Sequence, residues 1–134
     1  MIDWQIDYNS MNQNSNDMKT ISTKEELKKA LEGGEKEVKV EDAKLLKSLS
    51  VQYWIQKNKV KGALLLAALP AAIAVGGVAA PIIGIVGAGL VIGGATISAA
   101  EIIVIGGIIL ALVAILKGHK IKGIDMKHGV VRFE

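Results

Sequence analysis

Hydrophobic positions recur with clear periods at both ends of the chain and with none in the middle. Ser22 and Glu25 stand in the S-x-x-E spacing of a capping box. Leu27, Ala30 and Leu31 then make one apolar stripe on the helix it opens, and Gly33 and Gly34 end it. Glu35 to Val40 alternates polar with apolar through Val38 and Val40, the period of a short strand. Asp42 is placed to cap a second helix from Ala43, with Leu46, Leu49, Tyr53 and Trp54 near one face and no Gly or Pro before Gly62. With Ile21 in a first extended piece, residues 19–61 form a βαβα-like module. A turn at His128-Gly129 pairs Ile124 with Phe133, Asp125 with Arg132 and Met126 with Val131, so 117–134 is expected to be a basic β-hairpin that joins the module's strands. Residues 1–18 are Asn-rich, carry no Lys or Arg and alternate only at Trp4, Ile6 and Tyr8; they read as a mobile extension, with Met18 as the natural start.

The middle, 62–116, contains one ionisable side chain, Glu101, and is built from Ala, Gly, Ile, Val and Leu. It lifts the whole chain to 51% hydrophobic residues and a mean hydropathy of +0.40. It starts too late and runs too long for a signal peptide. A membrane pass needs ~20 apolar residues, so the block accommodates two passes and a turn, or three short passes. Lys57, Lys59 and Lys61 precede the block and Lys117, Lys120 and Lys122 follow it; under the positive-inside rule both ends lie in the cytoplasm and the number of passes is even. The fold class expected is therefore membrane α-helical: a two-pass transmembrane helical hairpin with a small α+β cytoplasmic module formed by the N-terminal region and the C-terminal β-hairpin. The first pass runs from Gly62 past a kink at Pro70 to about Ala80, and the second from about Thr96 to Leu116.

Within that frame a few residues stand out. Glu101, with Thr96 and Ser98 nearby, is a candidate pore or gate group, because a carboxylate at membrane depth faces a bundle interior or water; the plainer role is a helix cap at the interface. Gly89 and Gly93 form G-x-x-x-G, and Gly94 with Ser98 repeats the spacing, a helix-packing surface between subunits or between the two passes of one chain. The six flanking lysines set topology, or form a basic vestibule for an anionic regulator such as a nucleotide or oligonucleotide. There is no Cys, hence no disulfide or thiolate metal site, and no catalytic constellation, phosphate loop, metal site or cofactor motif is visible, so the chain is not expected to be an enzyme.

The order of capped helix (Ile21 to Leu31), Gly-Gly break, strand, Gly/Ala-rich hairpin and charged C-terminal hairpin resembles small bacterial membrane proteins, some of which look like channel-forming effectors of phage-defence or toxin systems. The resemblance is one of architecture and implies a multi-pass protein of the bacterial inner membrane with an antiviral role. On these grounds the expected function is a homo-oligomeric ion channel or pore in a lipid bilayer, regulated through its cytoplasmic module. The rival is a membrane anchor or adaptor whose module binds a protein partner.

Overall fold

The computed structural model describes residues 18–76 and 78–134; the extension expected over 1–17 lies outside them. Strand β1 (Lys19–Ile21) leads into α1 (Lys24–Glu32), which is capped one residue later than the spacing suggested. Thr23 Oγ1 accepts from the Glu26 N–H at 3.1 Å, and the Glu26 carboxylate accepts from the backbone N–H groups of Thr23 and Ser22. That start buries Leu27, Ala30 and Leu31. Strand β2 (Glu37–Val40) runs parallel to β1, with Ile21 opposite Val40.

The chain's last two strands, β5 (Ile121–Asp125) and β6 (Val130–Phe133), complete a sheet of order β1-β2-β6-β5, in which β6 pairs antiparallel with both neighbours. Their hairpin turns through 126–129, not through His128-Gly129 alone, so Ile124 faces Val131 and Asp125 faces Val130. Asp125 causes the difference: its carboxylate accepts from the His128 N–H at 3.2 Å and lies 2.8 Å from His128 Nδ1, which stabilises a four-residue loop. Arg132 pairs instead with Glu37 on β2 at 2.8 Å. Ile21, Val38, Val40, Val131 and Phe133 face a first core completed by α1 and by Leu45, Leu46 and Leu49 of α2 (Ala43–Lys57), whose N-cap is Asp42.

The uncharged block builds a second core. It folds as α3 (Lys59–Ala74), α4 (Ala80–Val86), the hairpin β3 (Gly89–Ile92) and β4 (Ala95–Ser98), then α5 (Ala99–Val104) and α6 (Gly106–Ile115), which meet at Ile105. Leu65, Leu69, Ile82, Ile97, Ile102 and Ile109 are fully buried there, each worth roughly 1.5–3 kcal/mol by removal from water. Helices α2 and α6 reach into both cores, and Gln52, buried on α2, donates to the Ile109 carbonyl at 2.7 Å to fix the two together.

This arrangement overturns the expected two-pass transmembrane hairpin. Among the described residues no helix is long and apolar enough to cross a membrane. The first expected pass is a 16-residue helix that ends at Ala74, and the second is a strand, a 6-residue helix and a 10-residue helix. At 1.5 Å per residue even α3 is about 24 Å long, short of the ~30 Å hydrocarbon layer. The multi-pass inner-membrane location, the channel and the pore fall with the hairpin. The physical reason is that the block's hydropathy is used largely in burying the helices against one another, while glycines at positive φ (Gly76, Gly87, Gly93 and Gly94) break it into short elements.

Candidate functional site

Glu101 and Ser98 come together at the start of α5. Ser98 is the N-cap: its Oγ accepts from the Glu101 N–H at 3.1 Å, and the Glu101 carboxylate accepts in return from the Ser98 N–H at 3.2 Å. The second carboxylate oxygen receives the Lys47 ammonium of α2 at 2.6 Å. The Lys47 ammonium first, and the Ser98 N–H after it, hold the Glu101 carboxyl below the usual glutamate range. The carboxylate thus joins the hairpin-to-helix junction to α2. Thr96 is exposed on β4, opposite Val91.

The glycines expected to pack helices are in the β3–β4 hairpin. Gly89 pairs with Ser98, and a Cβ there would stand 2.6 Å from the Ile97 carbonyl oxygen. Gly93 and Gly94, at φ 57° and 87°, form the two-residue turn, where positive φ at both central positions matches the strands' twist. The turn lies against β5, since a Cβ on Gly93 would come within 3.1 Å of the Ile124 carbonyl oxygen.

Four of the six flanking lysines converge. Lys57 ends α2, with its ammonium 4.8 Å from the centre of the Tyr53 ring, and Lys59 begins α3. Gln56 Oε1 accepts from the Ile121 N–H at 3.0 Å and fastens the start of β5, with Lys120 and Lys122 on either side of Ile121, to that α2–α3 corner. Two adjoining clefts result. One, of about 440 Å³, is lined by Gln56, Lys59, Leu116, Gly118, His119 and Lys120. The other, of about 460 Å³, is lined by Tyr53, Lys57, Lys122 and Glu134 together with the shared Gln56 and Lys120. Lys61 and Lys117 are exposed and line neither cleft.

A second feature is apolar. Among the described residues every large exposed aliphatic lies between Val60 and Val113. On α3 Gly62, Leu65, Leu69 and Ala72 are buried, while Val60, Ala63, Leu64, Ala67, Pro70, Ala71 and Ala74 are exposed; Lys59, Lys61 and Ile73, also exposed, lie beside these two sets. The second set recurs at i, i+3, i+4 and i+7, a single stripe opposite the core. Val60 is 76% exposed and Leu64 54%. Sequence reasoning saw these residues only as part of a uniform block, because a helix apolar all round shows no contrast by which to tell its core face from its outer one. Gln56 and His119 were also missed as lining groups; nothing in the sequence separates Gln56 from the neighbouring amides Gln52 and Asn58.

The chain matches the family described as "Uncharacterised protein PM1101" over residues 20–133, and it belongs to that family. No curated protein and no solved structure matches it.

Proposed function

We propose that this protein is a non-enzymatic assembly module that self-associates through the exposed apolar face of α3. The observation that carries the reading is that face itself, uncharged over four turns of helix. Four of the polar groups that stand out in the sequence have structural roles: Ser98 and Asp42 cap helices, Glu101 pairs with Lys47, and Asp125 closes a hairpin.

The partner that fits the face is a second copy of the same chain. Bulk sits at the N-terminal end of the stripe, in Val60 and Leu64, and small residues follow in Ala67, Ala71 and Ala74. Two copies of α3 laid antiparallel about a two-fold axis at Ala67 place Val60 against Ala74, Ala63 against Ala71 and Leu64 against Pro70. The two bulky aliphatics then meet Ala74 and Pro70, while alanine meets alanine near the axis, so that one surface is complementary to itself, as an isologous interface requires. The antiparallel sense also keeps Lys59 and Lys61 of the two copies at opposite ends, whereas a parallel pair would bring like charges together. A seam of one helix is smaller than the ~800 Å² per partner of a standard interface, so association is expected at micromolar rather than nanomolar concentrations.

Because the chain has no native Cys, introduced ones report the geometry directly. Sedimentation of the full chain up to about 100 μM should show a dimer. Ala67→Cys should cross-link to its own copy on oxidation, and Val60→Cys, opposite Ala74, should not. Ala67→Glu, which sets two carboxylates face to face on the axis, should give a folded monomer. A wild-type chain that stays monomeric at that concentration, or an Ala67→Glu chain that still dimerises, refutes the reading.

A further inference from the structure

We infer that the paired clefts around Gln56 and Lys120 form a binding site for a small phosphorylated anion carrying more than one phosphate group. The site adjoins the self-association face at Lys59, which precedes Val60, but the inference does not rest on that reading.

The geometry begins with a constraint. Lys57 and Lys59 come from the α2–α3 corner, Lys120 and Lys122 from a segment more than sixty residues later in the chain, and the bond from the Ile121 N–H to Gln56 Oε1 holds the two segments together. Lys120 and Lys122, two apart around the buried Ile121, are both exposed and both line the second cleft. Among the described residues none of these four ammonium groups has a carboxylate within ion-pair distance, although Lys24, Lys47 and Arg132 elsewhere each have one. Among the residues lining the two clefts the one carboxylate side chain is that of Glu134.

Four like charges fastened around one amide raise the local positive potential, and an anion of matching charge relieves it. Gln56 uses its carbonyl oxygen for Ile121, which leaves its amide N–H₂ as a further donor, and His119 adds an imidazole at the far wall. Cleft volumes of about 440 and 460 Å³ fall within the ~300–1,000 Å³ of small-molecule sites. Their adjacency, with Lys120 common to both, suits a chain of phosphates better than a single one. Phosphate recognition is the shared chemistry, whether the donor is a free polyphosphate or a nucleoside triphosphate.

The test is calorimetric titration of the full-length chain with sodium tripolyphosphate, and in parallel with ATP, at low and at raised salt. Binding that weakens with salt is expected. Lys59→Gln combined with Lys120→Gln should weaken it by about tenfold or more. Lys39→Gln combined with Lys127→Gln, an equal change in net charge at the other end of the sheet, should leave it within about twofold. Equal affinity for the two ligands assigns recognition to phosphate alone, and tighter binding of ATP assigns a nucleoside source; both support the site. No heat with either ligand, equal loss in both double variants, or binding of a single-stranded oligonucleotide without binding of tripolyphosphate would overturn it. Since all four lysines are exposed, circular dichroism of the variants should match the wild type.

Discussion

Leu64 and Leu69 lie on the same helix of the same uncharged block, and a lipid-facing hairpin would treat them nearly alike. The fold does not: Leu69 has no exposure and Leu64 is 54% exposed. Truncating each to Ala therefore separates a packed core from a uniform apolar surface. For Leu69→Ala the lost transfer energy and the cavity left among Leu65, Ile73 and Gly106 together cost about 3–5 kcal/mol. For Leu64→Ala the folded monomer loses roughly 0.5 kcal/mol or less. With an unfolding entropy near 2.1 cal/mol/K per residue, each kcal/mol moves the midpoint of a chain of 134 residues by about 4 °C. Thermal unfolding followed by circular dichroism should thus show a fall of about 10 °C or more for Leu69→Ala and about 2 °C for Leu64→Ala. The measurement belongs at submicromolar protein, where the dimer contributes little; the Leu64→Ala deficit should grow with concentration while that of Leu69→Ala stays level. Equal shifts for the two variants at low concentration would refute the division of α3 into a core face and an outer face.

Two further predictions concern the hairpin and its junction. Gly89→Ala should destabilise by roughly 1–3 kcal/mol, because the new methyl meets the Ile97 carbonyl oxygen at 2.6 Å and backbone cannot step aside, whereas Gly84→Ala on α4, with open space at its Cβ, should be neutral or stabilise by about 0.4–1 kcal/mol in urea unfolding. Glu101 has a folded-state pKa below its unfolded value, so its contribution is present above the unfolded pKa and is lost as pH falls through the folded one. Glu101→Gln and Lys47→Met should both flatten the acid side of the stability–pH curve, while Ser98→Ala should lower stability by about 1 kcal/mol at neutral pH through loss of the N-cap. An unchanged acid limb in Glu101→Gln would show that the carboxylate contributes nothing through its pair.

The parts of the fold legible from the sequence are those in which polar and apolar residues alternate. Leu27, Ala30 and Leu31 stand out against Lys and Glu, and Val38 and Val40 against Glu and Lys, so period and burial coincide in α1 and β2. Where Asp125 could either face Arg132 or fold back on His128, the local bond decides the register, and cross-strand pairing rules do not anticipate it. In 62–116 contrast is lost and length dominates the reading. Yet one local signature was present: Leu90, Val91 and Ile92, then Gly93-Gly94, then Ala95, Thr96 and Ile97 is a β-branched run on each side of a two-glycine turn. Total hydropathy outweighed it, and the same glycines were read as a helix face. Among the candidate site residues the lysines were legible as a group, but their convergence on Gln56 depends on the Ile121 contact, which pairs residues 65 positions apart.

The composition of α3 makes the outer face more than a by-product of the core. Burial accounts for Gly62, Leu65, Leu69 and Ala72 and places no demand on the opposite side. A helix that turned that side to water alone would carry Lys, Glu or Gln there, as α1 does at Lys24, Glu25, Lys28, Lys29 and Glu32. Helix α3 carries Val, Ala, Leu and Pro there, and no charge after Lys61 to its end at Ala74. Helix propensity does not require this, since Lys and Glu are nearly as favourable as Leu, and Val and Pro are worse. An exposed stripe of that kind marks a surface with a partner. The uneven sizes along it, bulky aliphatics at Val60 and Leu64 and mostly alanine from Ala67 onward, are the pattern that lets the partner be the same stripe reversed.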